Sequence, residues 1–326
     1  MMSTEQDLED LVRAWAERSG RVFTSLEILP GDVSPRRYLR ARETSGSRWI
    51  VAFYPKRLGD AGDRFRRSAL LLEDVGVRVP AVEAWDSDAG IMLVEDAGPR
   101  TVYDLATDET ADGFWRQGIA MLKELARLDQ EIVAGLNPRL DYALLTAELD
   151  QSLELVLEPE GLAGSGGLRN DFRDALDSLC RRLDEADARP CHRDFMARNL
   201  LVADDGNLTL IDHQDLRLGP PWYDLASLLN DSLYASPSQE EALLDLAGVD
   251  ADGRVAYHRA AAQRTLKIVG TFAAFARRGF DRHLALVPPS LAAARRHLAV
   301  LPETVDVMTG LEALWMDAAR GFPRRD

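Results

Sequence analysis

Only two cysteines, Cys180 and Cys191, occur in 326 residues. That excludes a disulfide framework, and their spacing is not that of a metal-binding pair, so a reducing compartment is the expected setting. Lysine is nearly as scarce: Lys56, Lys123 and Lys267 are the full set, and arginine carries the rest of the basic charge. Acidic residues outnumber basic ones by 54 to 39, for a formal net charge of -15. Such a chain lacks the clustered cations that a phosphate backbone demands, which argues against nucleic acid as a partner. No apolar run reaches the roughly 18 residues of a membrane span, and the acidic opening MMSTEQDLED has neither the basic nor the apolar segment of a signal peptide. The expectation is a cytoplasmic protein with no membrane partner. No repeat or low-complexity tract interrupts it, and nothing in the sequence marks an oligomeric state. Hydrophobic residues make up 46% of the chain, enough at this length for two lobes with separate cores.

The informative chemistry is concentrated in residues 191 to 231, CHRDFMARNLLVADDGNLTLIDHQDLRLGPPWYDLASLLND. His192-Arg193-Asp194 is followed five places on by Asn199, then by a hairpin pattern. Its parts are the apolar run Leu200 to Val202, the turn signal Asp204-Asp205-Gly206-Asn207, and Leu208 to Ile211. Asp212 ends the second strand, so such a hairpin returns Asn199 and Asp212 to the same end. Phosphoryl transfer asks for one carboxylate to take a hydroxyl proton and for oxygen ligands that hold Mg2+ against a triphosphate. Asp194 is the candidate base; Asn199 and Asp212 are the candidate metal ligands. Asp224, at the start of a helix, is read as a support that accepts hydrogen bonds from the catalytic loop.

Ahead of this block the pattern is strand-rich. An amphipathic helix over 5 to 18 precedes strands at 24 to 29, 37 to 43 and 48 to 54, a helix at 60 to 75, and strands at 81 to 85 and 90 to 95. Glu95 to Pro99 reads as a hinge whose backbone groups can meet an adenine, and the expected division is 1–96 and 97–326. The second part reads as helical at 111 to 133, 141 to 158 and 168 to 187, and again from 222 onward, with helices at 222 to 234 and 252 to 278 among others. The turn Pro30 to Tyr38 offers Gly31 for backbone freedom and Ser34 for a hydroxyl toward phosphates. Protein kinases place a phosphate-holding lysine on the third strand in a V-A-I-K pattern; here the sequence is Val51-Ala52-Phe53-Tyr54, with tyrosine in the lysine's place. Lys56, Arg37 and Arg40 are the candidates to replace it.

The block resembles the aminoglycoside phosphotransferase and choline kinase branch of the protein-kinase-like fold, and within it the bacterial anomeric kinases of N-acetylmuramate and N-acetylglucosamine in cell-wall recycling. The resemblance is carried by His192-Arg193-Asp194-Phe195, Arg198-Asn199-Leu200, Ile211-Asp212, Gln214-Asp215 and Tyr223-Asp224-Leu225, with weaker matches at Gly31 to Tyr38 and Leu93 to Gly98. Arg193 stands where the aminoglycoside enzymes carry glycine, which favours the sugar kinases. The resemblance implies an α+β, two-lobed protein-kinase-like fold, with a small five-stranded antiparallel sheet lobe and a larger, mainly helical lobe. It also implies ATP and Mg2+ as cofactors and a small-molecule sugar as acceptor. Gly31, Ser34, Arg37, Lys56 and Glu95 are then the nucleotide candidates, and Arg193, Arg198, Gln214, Asp215 and Asp224 the loop or substrate candidates. The anomeric kinases carry His-Ser where this chain has Met196-Ala197, which removes two polar groups beside the base. The alternatives are an aminoglycoside-type phosphotransferase or other small-molecule hydroxyl kinase, and a nucleotide-binding regulator without turnover.

Overall fold

Alternation of apolar side chains along the first strands sends them to two faces, and each face is covered by a helix. The computed structural model describes residues 5–30, 35–164, 166–318 and 322. Its first compact unit comprises Met1–Arg100 together with Leu201–Asp215. It opens with α1 (Glu5–Arg18), then β1 (Phe23–Ile28), β2 (Arg37–Glu43), β3 (Arg48–Phe53), α2 (Ala61–Asp74), β4 (Val82–Asp86) and β5 (Ile91–Glu95). The strands form one sheet in the order β1-β2-β3-β5-β4, every neighbour antiparallel. Ile91 and Leu93 of β5 pack with Leu8, Val12 and Trp15 of α1. Met92 and Val94, on the opposite side, pack with Ala52, Tyr54 and Phe65, the last on α2. This is the period-two pattern of a strand buried on both faces.

The second unit comprises Thr101–Leu200 and Leu216–Asp326. Up to the His192-Arg193-Asp194 stretch it holds α3 (Val102–Leu105), α4 (Ala111–Leu125), α5 (Gln130–Ala134), α6 (Tyr142–Ser152), α7 (Gly167–Glu185) and β6 (Arg189–Cys191). The chain then makes the hairpin β7 (Leu200–Val202) and β8 (Leu208–Leu210), and returns through β9 (Arg217–Gly219), α8 (Tyr223–Asn230), β10 (Leu233–Tyr234), α9 (Pro237–Ala247), α10 (Ala251–Arg277), α11 (Val287–Leu298) and α12 (Val305–Ala318). The hairpin groups with the first unit, although the sequence division had it within 97–326.

Two long helical patterns end earlier than the sequence suggests. The run 111 to 133 breaks because the Asp129 carboxylate accepts from the N–H groups of Glu131 and Ile132 and so caps a new helix, α5. The run 222 to 234 stops at Asn230, because Asp231 adopts an extended backbone and its carboxylate is held by two arginines.

Candidate active site

β6 pairs antiparallel with β9, Cys191 opposite Arg217, and the chain leaves β6 directly into His192-Arg193-Asp194. Asp224, in the first turn of α8, holds this exit: its carboxylate accepts from the N–H of His192 at 2.6 Å and of Arg193 at 2.8 Å. Burial outweighs those bonds and raises the Asp224 carboxyl above its ordinary value. His192 is fully buried with its ring edge-on to Phe195. Arg193 has a left-handed backbone, φ 76°, as do Asp212, Trp222 and Ser232. Among the described residues every non-glycine of positive φ thus falls between 193 and 232, a conformation that costs roughly 1–3 kcal/mol and collects at functional sites.

Asp194 keeps 24% of its side chain accessible. One oxygen, Oδ1, accepts from Arg264 at 2.6 Å and from Lys267 at 3.2 Å, both on α10. Burial opposes its charge, but Lys267, Arg264 and Arg193 overcome that and hold the carboxyl well below the usual carboxylate range. Arg264, 1% exposed, also donates to Asp231 at 2.6 Å, and Arg198 reaches the other Asp231 oxygen at 3.3 Å. Met196 of the Met196-Ala197 departure packs its Sδ against Arg198 and Arg264, at 3.4 and 3.7 Å. Glu148 on α6 completes the cluster, accepting from Arg193 at 2.7 Å and Gln263 at 3.1 Å, with Lys267 at 3.9 Å. The Asn199 side chain donates its amide to the Asp194 carbonyl at 2.8 Å, which leaves its own oxygen for a ligand.

This cluster makes stability depend on pH in a definite sense. Burial disfavours the charges of Glu148 and Asp231, yet Lys267 and Arg193 lower the first below 4.5, and Arg264 and Arg198 lower the second below 3.8. Folded values below unfolded ones contribute stability above the unfolded pKa, and that stability disappears as pH falls through the folded values. Urea midpoints are therefore expected to fall as pH drops below those ordinary values. The fall should be shallower in Glu148→Gln, and an equal slope in both proteins would remove Glu148 from this account.

In the first unit, Asp212 follows β8. Its Oδ1 accepts from Arg36 at 2.8 Å and from Gln214 at 2.8 Å. The neighbouring His213 is anchored to α2, its Nδ1 hydrogen-bonded to the Ser68 hydroxyl at 2.8 Å and its ring 4.2 Å from Phe65. Asp215 is half-buried in the short turn that follows. Of the nucleotide candidates, Gly31 and Ser34 lie outside the described residues. Arg37 is exposed, with Glu5 4.0 Å away, and Lys56 is exposed in a short turn. Arg40 donates to Asp96 at 2.9 Å. Glu95 accepts from the Ala81 N–H at 3.3 Å, and Arg78 lies 3.5 Å away.

Sequence reasoning missed Arg36, Glu148, Asp231, Arg264 and Lys267. The signal was there for two of them: Arg264 and Lys267 stand three residues apart in the long helical run 252 to 278, between the apolar stretches Ala260–Ala262 and Ile268–Val269. A separate cavity of about 680 Å³ in the second unit backs onto this loop, lined by Leu122, Cys191, Trp222 and Asp224 among others, but not by Asp194 or Asn199. No helix among the described residues is long and apolar enough to cross a membrane.

The chain has relatives. A model described as the phosphotransferase enzyme family matches residues 25–263. An N-acetylmuramate/N-acetylglucosamine kinase of Pseudomonas putida is 30% identical, covering 93% of this chain and 92% of the relative. A protein of the same name from Pseudomonas aeruginosa is 30% identical, covering 86% of each. Among solved structures, a choline/ethanolamine kinase family protein from Mesorhizobium loti superposes with a TM-score of 0.62 at 16% identity, covering 94% of this chain and 99% of that one.

Proposed function

The chain belongs to the phosphotransferase enzyme family, and from that premise we propose that it transfers the γ-phosphoryl group of ATP to the anomeric hydroxyl of an N-acetyl amino sugar, giving the sugar 1-phosphate. The acceptor class rests on the curated relatives, all named as N-acetylmuramate/N-acetylglucosamine kinases. The chain's own support is the charge around Asp194. With Arg264 and Lys267 both on Oδ1, the second oxygen is left for a hydroxyl, and the two cations repel the amines of an aminoglycoside while tolerating a neutral or anionic sugar.

In this reading Asp194 orients the acceptor hydroxyl and takes its proton. Its depressed pKa makes it a weak base, so the proton moves late, once the new O–P bond has begun to acidify the hydroxyl and the bond to the departing ADP oxygen is breaking. A loose transition state of that kind gains most from position and charge. Asp224 fixes the loop through the two N–H groups from which it accepts, Arg264 and Lys267 hold Asp194 by Oδ1, and Glu148 in turn holds Arg193 and Lys267. Asn199 and Asp212 are assigned to Mg2+, and both offer the oxygen donors that this ion takes. Bound Mg2+ supplies neutralisation of the charge that builds on the phosphate oxygens. A cytoplasmic location is part of the same proposal.

One pair of compounds tests the acceptor. N-acetylglucosamine is expected to be phosphorylated to a 1-phosphate, and its 1-O-methyl glycoside to be inert, because only the reacting oxygen is capped and the other binding contacts survive. Turnover of the glycoside at the parent's rate, or acceptance of aminoglycosides alone, would remove the anomeric reading.

A further inference from the structure

Val51-Ala52-Phe53 close β3 and Tyr54 follows directly, so the place of a phosphate-holding lysine is taken by a phenol that carries no positive charge. Burial raises the Tyr54 pKa, so the hydroxyl stays neutral at physiological pH. The other basic groups nearby are committed or turned away. Arg40 is tied to Asp96, whose side chain is 2% exposed. Arg37 and Lys56 are exposed. Arg36 is paired as well, but with Asp212, a half-exposed carboxylate and the one assigned to Mg2+. It lies immediately before β2, keeps only 15% of its side chain accessible, and has its guanidinium carbon 5.9 Å from the Tyr38 ring centroid. The Tyr54 phenol is near enough for the Arg36 charge to act on its pKa, and Arg36 Nη2 donates to Asp212 Oδ1 at 2.8 Å.

We propose that Arg36 holds the phosphate groups of the nucleotide in place of the missing strand lysine, with Tyr38 and Tyr54 forming the wall that aims it. This rests on the reading of the chain as an ATP-dependent phosphotransferase. Arg36 already donates to the carboxylate assigned to Mg2+. A guanidinium beside a metal-binding carboxylate is placed to meet the anionic oxygens that the same ion would hold. Its planar fork binds phosphate in two-point fashion, which an ammonium cannot do. A tyrosine at position 54 then follows from the same arrangement. A lysine there would put a second cation near Arg36 in a half-buried site, whereas a phenol adds no charge.

Calorimetric titration of the full chain with ATP and with adenosine, each with and without Mg2+, separates phosphate contacts from the rest. Arg36→Ala is expected to weaken ATP roughly ten- to hundredfold, the range of a charge-assisted hydrogen bond, and to leave adenosine within about twofold. Arg36→Gln keeps the stem packed on Tyr38 and should show the same loss if the alanine variant folds poorly; Arg36→Lys should recover part of it. ATP binding at wild-type strength in the alanine or glutamine variant overturns the proposal. So does an equal loss for adenosine, or a loss in Lys56→Ala that Arg36→Ala does not share. A wild-type chain that binds no ATP removes the phosphotransferase reading itself, and the assignment with it.

Discussion

Asp194→Asn is expected to lower kcat by roughly 10² to 10⁴, the range of general-base catalysis, with ATP affinity nearly unchanged. The reason is one of polarity as much as charge. Oδ1 accepts from Arg264 and Lys267, two groups that can only donate. An asparagine must therefore turn its carbonyl oxygen toward them, which puts its NH2 group where the second carboxylate oxygen had been. The acceptor hydroxyl then meets a donor where it needs an acceptor, so it is neither oriented nor relieved of its proton. A single-turnover measurement isolates this loss from product release. Wild-type kcat in the purified variant would take Asp194 out of the reaction.

Arg264→Met should cost about 3–5 kcal/mol of stability, the penalty of removing one partner from a buried ion pair. Arg264 is 1% exposed and Asp231 is not exposed at all. Without the guanidinium, Asp231 keeps only Arg198 at 3.3 Å and the Ser232 hydroxyl at 2.7 Å. The methionine fills similar volume, so the loss reports uncompensated charge more than a cavity. The double variant Arg264→Met/Asp231→Leu removes the stranded carboxylate as well. It should be more stable than the single one, because an apolar pair often replaces a buried ion pair at little cost. Urea unfolding of the two variants and the wild type measures the coupling. A single-variant loss below about 1 kcal/mol would show that the ion pair behaves as an exposed one.

The strands and helices of the first unit were legible to within a residue or two, because a strand buried on both faces writes a short unbroken apolar run, as Ile91 to Val94 do after the turn that ends at Gly90. Asp194, Asn199 and Asp212 were legible only as candidates, since the chemistry proposed for them depends on a short loop and one hairpin. The groups that tune them were not. Arg264 lies 70 residues and Lys267 73 residues from the aspartate they touch, and pairing at that distance is written in helix packing, which no local spacing encodes. Arg36 was passed over for the opposite reason. It stands beside Arg37 at the start of β2, and only the direction of each side chain, toward Asp212 or toward Glu5, tells them apart.

The return of residues 201–215 to the unit begun by residues 1–100 also sets an order of events during synthesis. When the five-stranded sheet has left the ribosome, α2 still lacks His213, the ring that meets Phe65 and the side chain that bonds Ser68. Arg36 likewise has no Asp212 to pair with. At roughly 5–20 residues per second, the hundred intervening residues take on the order of 5 to 20 s to appear. Through that interval the nascent first unit carries an unfinished apolar face, and a stop codon anywhere between 101 and 212 would leave it so permanently. A fragment ending at Arg100 is thus expected to be a client of chaperones, and a two-piece version of this protein would have to be cut outside the 101 to 215 interval.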